Sequence, residues 1–431
     1  MRKQSLTVLA GACAAALALA ACSSGGSSTE GKGGGKAGRE LTILSIATPS
    51  SPDFKDFKAA IAQFEQETGA KVKLTTGTGD TVTSQFESTS LAGKEPDLVN
   101  INPVGAVRNW LASGAVHPVD DYLDSWGIRG TVNPDAIKEW TIDGKVIGFP
   151  YQTFTWPLWF NTELLKKAGI ARPPATMADL ESDVDKLKAA GITPWAIGGS
   201  DWTGQDFVQK FIELYLPVSD YDSVFKQGKY CSNGHVMDAL NELVKLRDKG
   251  LFAKDVQGLT SNDMTAAFNT GKAAMMLSGS WGFGGTPKDL LPKITVGGIP
   301  APQGGAVTRP AFAVGYSSAG WIVSRNGAAK ADLIRKFMEI QYSDPVVTKA
   351  MVDSGFVPAV AKVPAMPTDA NPLLGPATKA VGETDRLHST DSYIPPAVTS
   401  TYIKASAVAF TPGKSAQDTC SALEHLYTSA G

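Results

Sequence analysis

The stretch LTILSI at residues 41–46 opens an alternation of strand and helix patterns that decides the fold. Two further strand patterns follow it, KVKL at residues 71–74 and DLVNI at residues 97–101. Helical spacing of apolar side chains fills the intervals, at residues 51–68 and 83–92. A β-α-β-α-β order of this kind predicts a mainly parallel sheet covered by helices.

The edge of that sheet at which its parallel strands end is the first place to look for a ligand. In open α/β sheets, ligands bind outside the carboxyl ends of the strands. Thr48, Pro49 and Ser50 follow the first strand, and Asn102 follows the third. We therefore expect these residues at the rim of a binding site.

The length of the chain predicts more than one lobe. Residues 41–431 exceed the limit of about 250–300 residues at which a single hydrophobic core stops growing. The section 162–277 is rich in helical patterns, and strand patterns return at residues 294–299 and 320–323. Helices are expected at 330–342 and 415–427. A chain with this organisation should form two α/β lobes.

The N-terminus has the pattern of a secretory signal. Two basic residues precede an apolar stretch at residues 6–20, which is shorter than the ~20 residues of a membrane span. The sequence LAAC then places Cys22 where a lipoprotein signal is cut, so residues 1–21 are expected to be removed and Cys22 lipidated. An ordinary signal peptide is the alternative. Residues 22–40, rich in Ser and Gly, are expected to be a flexible linker.

The charge and the cysteines restrict the class of protein further. The formal net charge is −2, without a basic stripe, so nucleic acid is not an expected partner. No second apolar run of membrane-spanning length follows residue 41, so the lipid is the expected membrane contact. Of the four cysteines, Cys13 is removed with the signal and Cys22 is the expected lipid site, so Cys231 and Cys420 remain. They form either a disulfide or two separate thiols.

The sequence contains no motif for catalysis, metal binding or a cofactor. The four histidines are scattered, without HExxH spacing or a Cys/His cluster. The glycine-rich segments lack the residues of a dinucleotide or phosphate loop. No local motif nominates a pair of carboxylates for glycoside hydrolysis. We expect no cofactor and no enzyme activity, with an extracellular glycoside-acting enzyme as a remote alternative.

Four tryptophans are the strongest candidates for binding residues. Trp156, Trp202, Trp281 and Trp321 lie in or beside glycine- or proline-rich segments that are predicted to connect elements. An indole can cover the apolar face of a pyranose, while nearby Asp and Asn side chains bond its hydroxyls. The pattern favours a sugar site, and packing between lobes is the alternative. Three others fall inside predicted elements and are expected in the core: Trp110, Trp159 and Trp195.

Several longer stretches resemble a known family. They include DGKVIGFP at 143–150, LWFNTELLKKAG at 158–169, AAFNTGKAAM at 266–275 and GFVPA at 355–359. The chain resembles the family 1 extracellular solute-binding proteins, relatives of maltose-binding protein. The resemblance runs from residue 41 to the C-terminus in consistent order.

The resemblance implies a two-lobed, periplasmic-binding-protein-like α/β fold of type II, with the ligand in a cleft between hinge-connected lobes. Hinge crossings are expected near residues 154–155, 300–301 and 342–343. The expected domains are 41–153 plus 301–342 for lobe 1, and 154–300 plus 343–431 for lobe 2.

The resemblance also implies a function. The chain would be the substrate-binding lipoprotein of an ATP-driven (ABC) importer, capturing a mono- or oligosaccharide and delivering it to the permease subunits and their ATPase. It would act as a monomer, anchored by lipid to the outer face of a Gram-positive cell membrane. A non-sugar cargo, such as a polyamine, an amino acid or a metal chelate, is the alternative.

The family pattern assigns roles to individual positions of this sequence. Trp281 matches a position whose aromatic ring stacks on sugar. Phe154 stands where maltose-binding protein has an acidic residue at the hinge, so a contact there would be stacking. Other positions match cleft loops or ligand-contacting side chains: Asn102, Asp201, Trp202, Gly320, Trp321 and Asp80.

Overall fold

A computed structural model describes residues 39–102, 106–355, 357–364, 371–388 and 393–429. The predicted signal peptide and Cys22 lie outside these residues. The strands are β1 (Glu40–Ser45), β2 (Lys71–Thr76), β3 (Leu98–Ile101), β4 (Val116–His117), β5 (Thr141–Ile142), β6 (Lys145–Val146), β7 (Phe149–Trp156), β8 (Leu158–Asn161), β9 (Thr193–Ala196), β10 (Ala273–Leu277), β11 (Ile294–Gly297), β12 (Ala311–Ser324), β13 (Val357–Pro358) and β14 (Asp385–Leu387).

The helices of the described chain lie mostly between these strands. They are α1 (Phe54–Thr68), α2 (Gly79–Leu91), α3 (Ala106–Ala112), α4 (Asp120–Ser125), α5 (Pro134–Glu139), α6 (Thr162–Lys167), α7 (Met177–Ala189), α8 (Trp202–Glu213), α9 (Gly234–Lys249), α10 (Ser261–Asn269), α11 (Arg325–Ala328), α12 (Ala331–Gln341), α13 (Asp344–Ser354), α14 (Leu374–Glu383), α15 (Pro396–Ser406) and α16 (Ala416–Ser429). A short 3-10 turn at Ser280–Gly285 is important for the site.

The first sheet contains the parallel strands that the sequence predicts. β1 pairs in parallel with β2 and with β3, placing Leu41 beside Val72 and Ile43 beside Leu98. The order continues through antiparallel β12 and β7 to β13, and β4 and β14 also pair with β12. The carboxyl ends of β1 and β3 therefore lie side by side at one edge.

The second sheet has the order β11-β8-β10-β9, in which only β10 and β9 are parallel. Every position of β8 and β10 is buried because these central strands are covered by helices, and both are apolar apart from Asn161 for this reason. β9 and β11 keep partly exposed positions. β5 and β6 form a separate small hairpin.

Buried side chains form two hydrophobic cores. One core draws its residues from 41–149 and 321–360, and the other from 154–313 and 373–423. The chain passes from one core to the other within β7 and again within β12. Val347 and Met351 of α13 belong to the first core. Two cores confirm the two-lobed α/β fold class.

Two elements differ from their predicted extents. The strand expected at 320–323 is the end of the 14-residue β12, so Gly320 and Trp321 lie in a strand and not in a connecting segment. The apolar spacing at residues 207–216 predicts a helix there, but α8 begins earlier, at Trp202, because Asp201 caps it by accepting a hydrogen bond from the Thr203 amide.

The two remaining cysteines are bonded to each other. Cys231 and Cys420 form a disulfide with a Cα–Cα distance of 5.2 Å. Cys231 precedes α9 and Cys420 lies in α16, so the bond joins the middle of the chain to its last helix.

Candidate ligand-binding site

Four aromatic side chains from three separate segments meet where β7 enters the second core. We name Phe154, Trp156, Trp202 and Trp281 the aromatic corner. Phe154 and Trp156 are two residues apart on β7, so they point to the same face of the strand. Trp202 is the first residue of α8, and Trp281 lies in the Ser280–Gly285 turn.

The aromatic corner has a buried layer and an exposed layer. The Trp281 ring centroid lies 5.0 Å from that of Trp156 and 5.8 Å from that of Phe154, with interplanar angles of 73° and 69°. Trp202 packs on Trp156 at 5.7 Å. Phe154 and Trp156 are 8% and 9% exposed, whereas Trp202 and Trp281 are 43% and 37% exposed. The exposed indoles of Trp202 and Trp281 can therefore contact a ligand, while the buried rings pack against them and fix their positions.

The position of Trp281 depends on its neighbours in the turn. A Cβ atom added at Gly279 would lie 2.0 Å from the Trp281 ring, so only glycine leaves room for this indole. The amide of Thr155 donates a hydrogen bond to Ser280 Oγ at 3.3 Å, which ties the turn to β7. Phe283 packs on Trp159 at 5.0 Å below the turn. The indole is therefore positioned before any ligand arrives.

Asp201 positions Trp202. Its Oδ1 accepts hydrogen bonds from the Thr203 amide at 3.0 Å and the Thr203 hydroxyl at 2.7 Å, and its Oδ2 accepts from the Ser261 amide at 2.6 Å. Ser261 is the first residue of α10, so one carboxylate joins the N-termini of α8 and α10. Both oxygens are engaged within the protein, and the structure gives Asp201 a positioning role.

The predicted rim residues of the first sheet stand apart from the aromatic corner. Ser50 is exposed and its hydroxyl lies 2.9 Å from that of Thr48. Asn102 is exposed directly after β3. No hydrogen bond in the described part of the chain joins either residue to the corner. Asp80 lies in the first turn of α2, and its side chain is outside what the structure describes.

Trp321 and Gly320 belong to the first core. Trp321 is 1% exposed, and its ring packs at 5.6 Å from Phe57 and 5.2 Å from Phe337. The expectation that Trp321 offers a ring face from a loop is wrong, because these rings enclose it. Gly320 is buried, and a Cβ atom there would lie 2.4 Å from the ring of Trp140.

Sequence reasoning missed a polar recess in the first core, at the carboxyl edge of its sheet. Ser45, Asn100, Gln152, Asp53 and Asp56 line this recess, together with Tyr151 and Trp321. Its volume, including the part open to solvent, is about 420 Å³. The two aspartates lie at the start of α1, where acidic residues are ordinary helix N-terminal signals, so no sequence pattern distinguishes them as site residues.

The two aspartates of this recess have raised pKa values, which is unusual for carboxylates at the N-terminus of a helix. Burial raises the pKa of Asp53, and the neighbouring Asp56 carboxylate adds to the effect. Burial also raises the pKa of Asp56, against the Lys349 ammonium, which lowers it. Burial raises the pKa of the Tyr151 hydroxyl well above its usual range. Desolvated carboxylates of this kind mark candidate functional sites.

Other features of the described residues bear on the class of protein. They contain no group of three or more His, Cys, Asp or Glu side chains that could hold a metal ion. Among the helices that the structure describes, none has the length and apolar character needed to cross a membrane.

Two α/β cores, joined by strands that pass from one to the other beside an aromatic site, define a two-lobed solute-binding protein. Residues 48–348 match the model of the family described as bacterial extracellular solute-binding protein. The chain belongs to this family, whose members bind solutes outside the cytoplasm.

Similar structures cover nearly the whole chain. A probable secreted solute-binding lipoprotein from Streptomyces coelicolor is 33% identical, with a TM-score of 0.78 over 90% of this chain and 98% of that one. A chitin oligosaccharide binding protein is 24% identical, with a TM-score of 0.79 over 91% and 100%. A putative binding protein of Brucella abortus (strain 2308) is 23% identical over 322 residues, 74% of this chain and 75% of the relative.

Proposed function

We propose that this protein captures a mono- or oligosaccharide and delivers it to an ABC importer. The observation that carries the proposal is the aromatic corner, in which Trp202 and Trp281 expose ring surface above buried Phe154 and Trp156. Pyranose rings present apolar C–H faces that pack well on such indoles. The similarity to a chitin oligosaccharide binding protein also supports a carbohydrate cargo.

Capture proceeds by closure of two lobes around the ligand. The lobes start from those expected from the sequence, 41–153 plus 301–342 and 154–300 plus 343–431, with two changes. Residues 301–313 move with lobe 2 because Ala301 and Ala311 are buried in its core. Helix α13 moves with lobe 1 because Val347 and Met351 are buried in its core. A sugar that contacts both lobes favours the closed state, since it loses those contacts when the lobes open.

The protein works outside the cell membrane as a monomer. After removal of residues 1–21, a lipid on Cys22 holds it to the outer face of a Gram-positive membrane, and residues 22–40 serve as the tether. Its partners are the permease subunits and their ATPase, not nucleic acid. It binds and releases its cargo chemically unchanged, without enzyme activity or a cofactor.

A thermal-unfolding screen of residues 39–431 tests this function. A ligand that binds only the folded state stabilises it by RT ln(1 + [L]/Kd), so about 2.7 kcal/mol is expected at 100 times Kd. The panel contains mono- and oligosaccharides, polyamines and amino acids. A sugar that raises the midpoint and is recovered intact supports the proposal. A shift with only a charged solute would transfer the assignment to that class.

A further inference from the structure

The turn that carries Trp281 is in contact with both lobes. We call Ser280–Gly285 the Trp281 turn, and it belongs to the second core through Phe283, which is fully buried there. Helix α13 packs against this turn, although Val347 and Met351 of the helix are buried in the first core. A segment of lobe 1 therefore lies directly against the turn that presents the exposed indole.

The contact is close at Gly355, the buried residue that follows α13. A Cβ atom added at Gly355 would lie 2.8 Å from the Cβ atom of Phe283. It would also lie 3.4 Å from the amide nitrogen of Gly284 and 3.5 Å from the carbonyl oxygen of Ser280. Two of these atoms belong to the main chain and the third is attached to it, so rotation of a side chain cannot make room. Glycine allows the two main chains to approach this closely.

This close approach is a separate requirement from the backbone conformation of Gly355. With a φ of 68°, Gly355 has the left-handed conformation of a helix C-terminal cap, and its amide donates a hydrogen bond to the Ala350 carbonyl oxygen. Gly127, which lies just after α4, has a similar φ of 73°, but a Cβ atom there would meet no atom within 4 Å. A turn after a helix explains the glycine at both positions, whereas the contact with another lobe is particular to Gly355 in this pair.

Gly355 moves with lobe 1, like the helix before it. Met351 precedes Gly355 and Val360 follows it, and both are buried in the first core. The strand between Gly355 and Val360, β13, pairs with β7 before β7 enters the second core at Phe154. The main chain of Gly355 therefore follows lobe 1, while the Trp281 turn follows lobe 2.

The Trp281 turn is also held from within lobe 2. Asn371 Nδ2 donates a hydrogen bond to the Phe283 carbonyl oxygen at 2.8 Å, and the Thr155 amide bonds Ser280 Oγ. Closely packed segments have little free volume to absorb a displacement. A shift of the Gly355 main chain is therefore transmitted to the turn and to its indole.

We propose that Gly355 is a positioning residue for sugar capture, whose main chain in lobe 1 seats the Trp281 turn of lobe 2 and so fixes the indole for stacking. The inference deepens the proposed function and rests on it. An indole held by both lobes has its stacking orientation only at a particular angle between them. A sugar that stacks on Trp281 therefore favours that arrangement of the lobes.

Gly355→Ala and Gly127→Ala form a matched pair of variants. Both place alanine at a positive φ after a helix, and only the first adds an overlap with the Trp281 turn. We expect Gly355→Ala to weaken binding of the best sugar from the thermal screen about tenfold more than Gly127→Ala does, because a contact group is misplaced. Calorimetry at a temperature where both variants are folded measures this difference. In NMR spectra without sugar, the Trp281 indole N–H resonance should shift in Gly355→Ala and stay in place in Gly127→Ala.

A double-mutant cycle shows whether Gly355 acts through Trp281. In the Trp281→Ala background, Gly355→Ala should weaken binding by less than about twofold, because the group that Gly355 positions is already absent. Where Gly355→Ala does not fold, Gly355→Asn with Gly127→Asn repeats these measurements, since Asn adopts a positive φ more readily than Ala.

The outcomes separate this inference from the proposed function. If wild type binds sugar and Gly355→Ala binds it as tightly as Gly127→Ala, or leaves the Trp281 resonance in place, the positioning role is overturned and sugar capture stands. An equal loss of affinity with and without the Trp281 side chain would assign Gly355 to the fold alone, which also overturns it. If wild type binds no sugar of the panel, the proposed function falls and this inference falls with it.

Discussion

Trp281 combines an exposed ring face with a fixed orientation, so its truncation should remove binding energy without unfolding the protein. We expect Trp281→Ala to weaken binding of the best sugar from the thermal screen by about thirtyfold, as for a central aromatic anchor. Calorimetry measures this change. Trp126→Ala removes a half-buried tryptophan that stacks on Tyr122 away from the aromatic corner, and it should leave affinity unchanged.

The reverse pattern would refute the stacking role. If Trp281→Ala kept full affinity for that sugar, the aromatic corner would be a packing cluster between segments of the second core.

Gly279 provides a second test at the same indole. Gly279→Ala introduces a methyl group where the Trp281 ring now lies, so the indole must move. We expect about tenfold weaker sugar binding, because precise placement of a contact group is lost, together with a shift of the Trp281 indole resonance in NMR spectra. Gly285→Ala is the matched control, since a Cβ atom there meets only Pro52 at 4.0 Å. Equal behaviour of the two variants would contradict the positioning role of Gly279.

Asp53 should reduce the stability of the protein at neutral pH. Its pKa in the folded state is raised by burial, so the folded state holds the proton more tightly than the unfolded chain does. The free energy of unfolding should therefore fall as the pH rises through this pKa. Asp53→Asn, which retains a good N-cap residue, should be more stable than wild type at pH 7. The difference should disappear below the unfolded pKa, near 4. Urea unfolding from pH 3 to 7 measures it, and a variant less stable than wild type at pH 7 would contradict this account.

At the scale of elements, one carboxylate holds two helix N-termini beside the site. Asp201→Ala removes the cap of α8 and the acceptor of the Ser261 amide, while the capping box of α10, Thr260 with Asp263, remains. We therefore expect a loss of about 1 kcal/mol of unfolding free energy and weaker sugar binding through Trp202. Asp179→Ala removes one side of the α7 capping box and serves as the control for a cap far from the corner in sequence. It should cost stability but not affinity. If Asp201→Ala bound sugar with unchanged affinity under conditions in which the variant is fully folded, Trp202 would not need the Asp201 carboxylate to hold its position.

Most elements were predictable, and the exceptions have physical causes. The β-α-β-α-β start follows from local apolar periodicity, which survives in the folded protein as β1, α1, β2, α2 and β3. β12 was predicted to begin only at residue 320 because Gly315, earlier in the strand, resembles a loop residue. The structure explains this glycine by close packing, since a Cβ atom there would meet the ring of Phe154.

The candidate site was only partly predictable. Trp202 and Trp281 were nominated from their glycine-rich surroundings, and the structure brings them together. Trp321 was nominated on the same grounds but is enclosed by rings that are distant in sequence. Asp53 and Asp56 escaped notice because burial, which makes them unusual, depends on α13, almost 300 residues later in the chain. Local patterns cannot report such long-range enclosure.

At the scale of the whole molecule, two cores joined through β7 and β12 predict a change of shape with ligand. Small-angle scattering of residues 39–431 should show a smaller radius of gyration with saturating sugar than without it, because contacts to both lobes favour closure. Trp281→Ala at the same sugar concentration should retain the larger radius. An identical radius with and without sugar at saturation would exclude closure as the response to binding.

The interleaving of the two cores constrains how the protein folds during synthesis. The first core needs residues up to 360 and the second needs residues up to 423. Neither core can be completed while the early part of the chain emerges from the ribosome, in contrast to domains that fold one after another. The nascent chain therefore stays incompletely folded until residue 360 for the first core and residue 423 for the second have been made, which leaves a long interval in which other cellular factors can bind the unfolded chain.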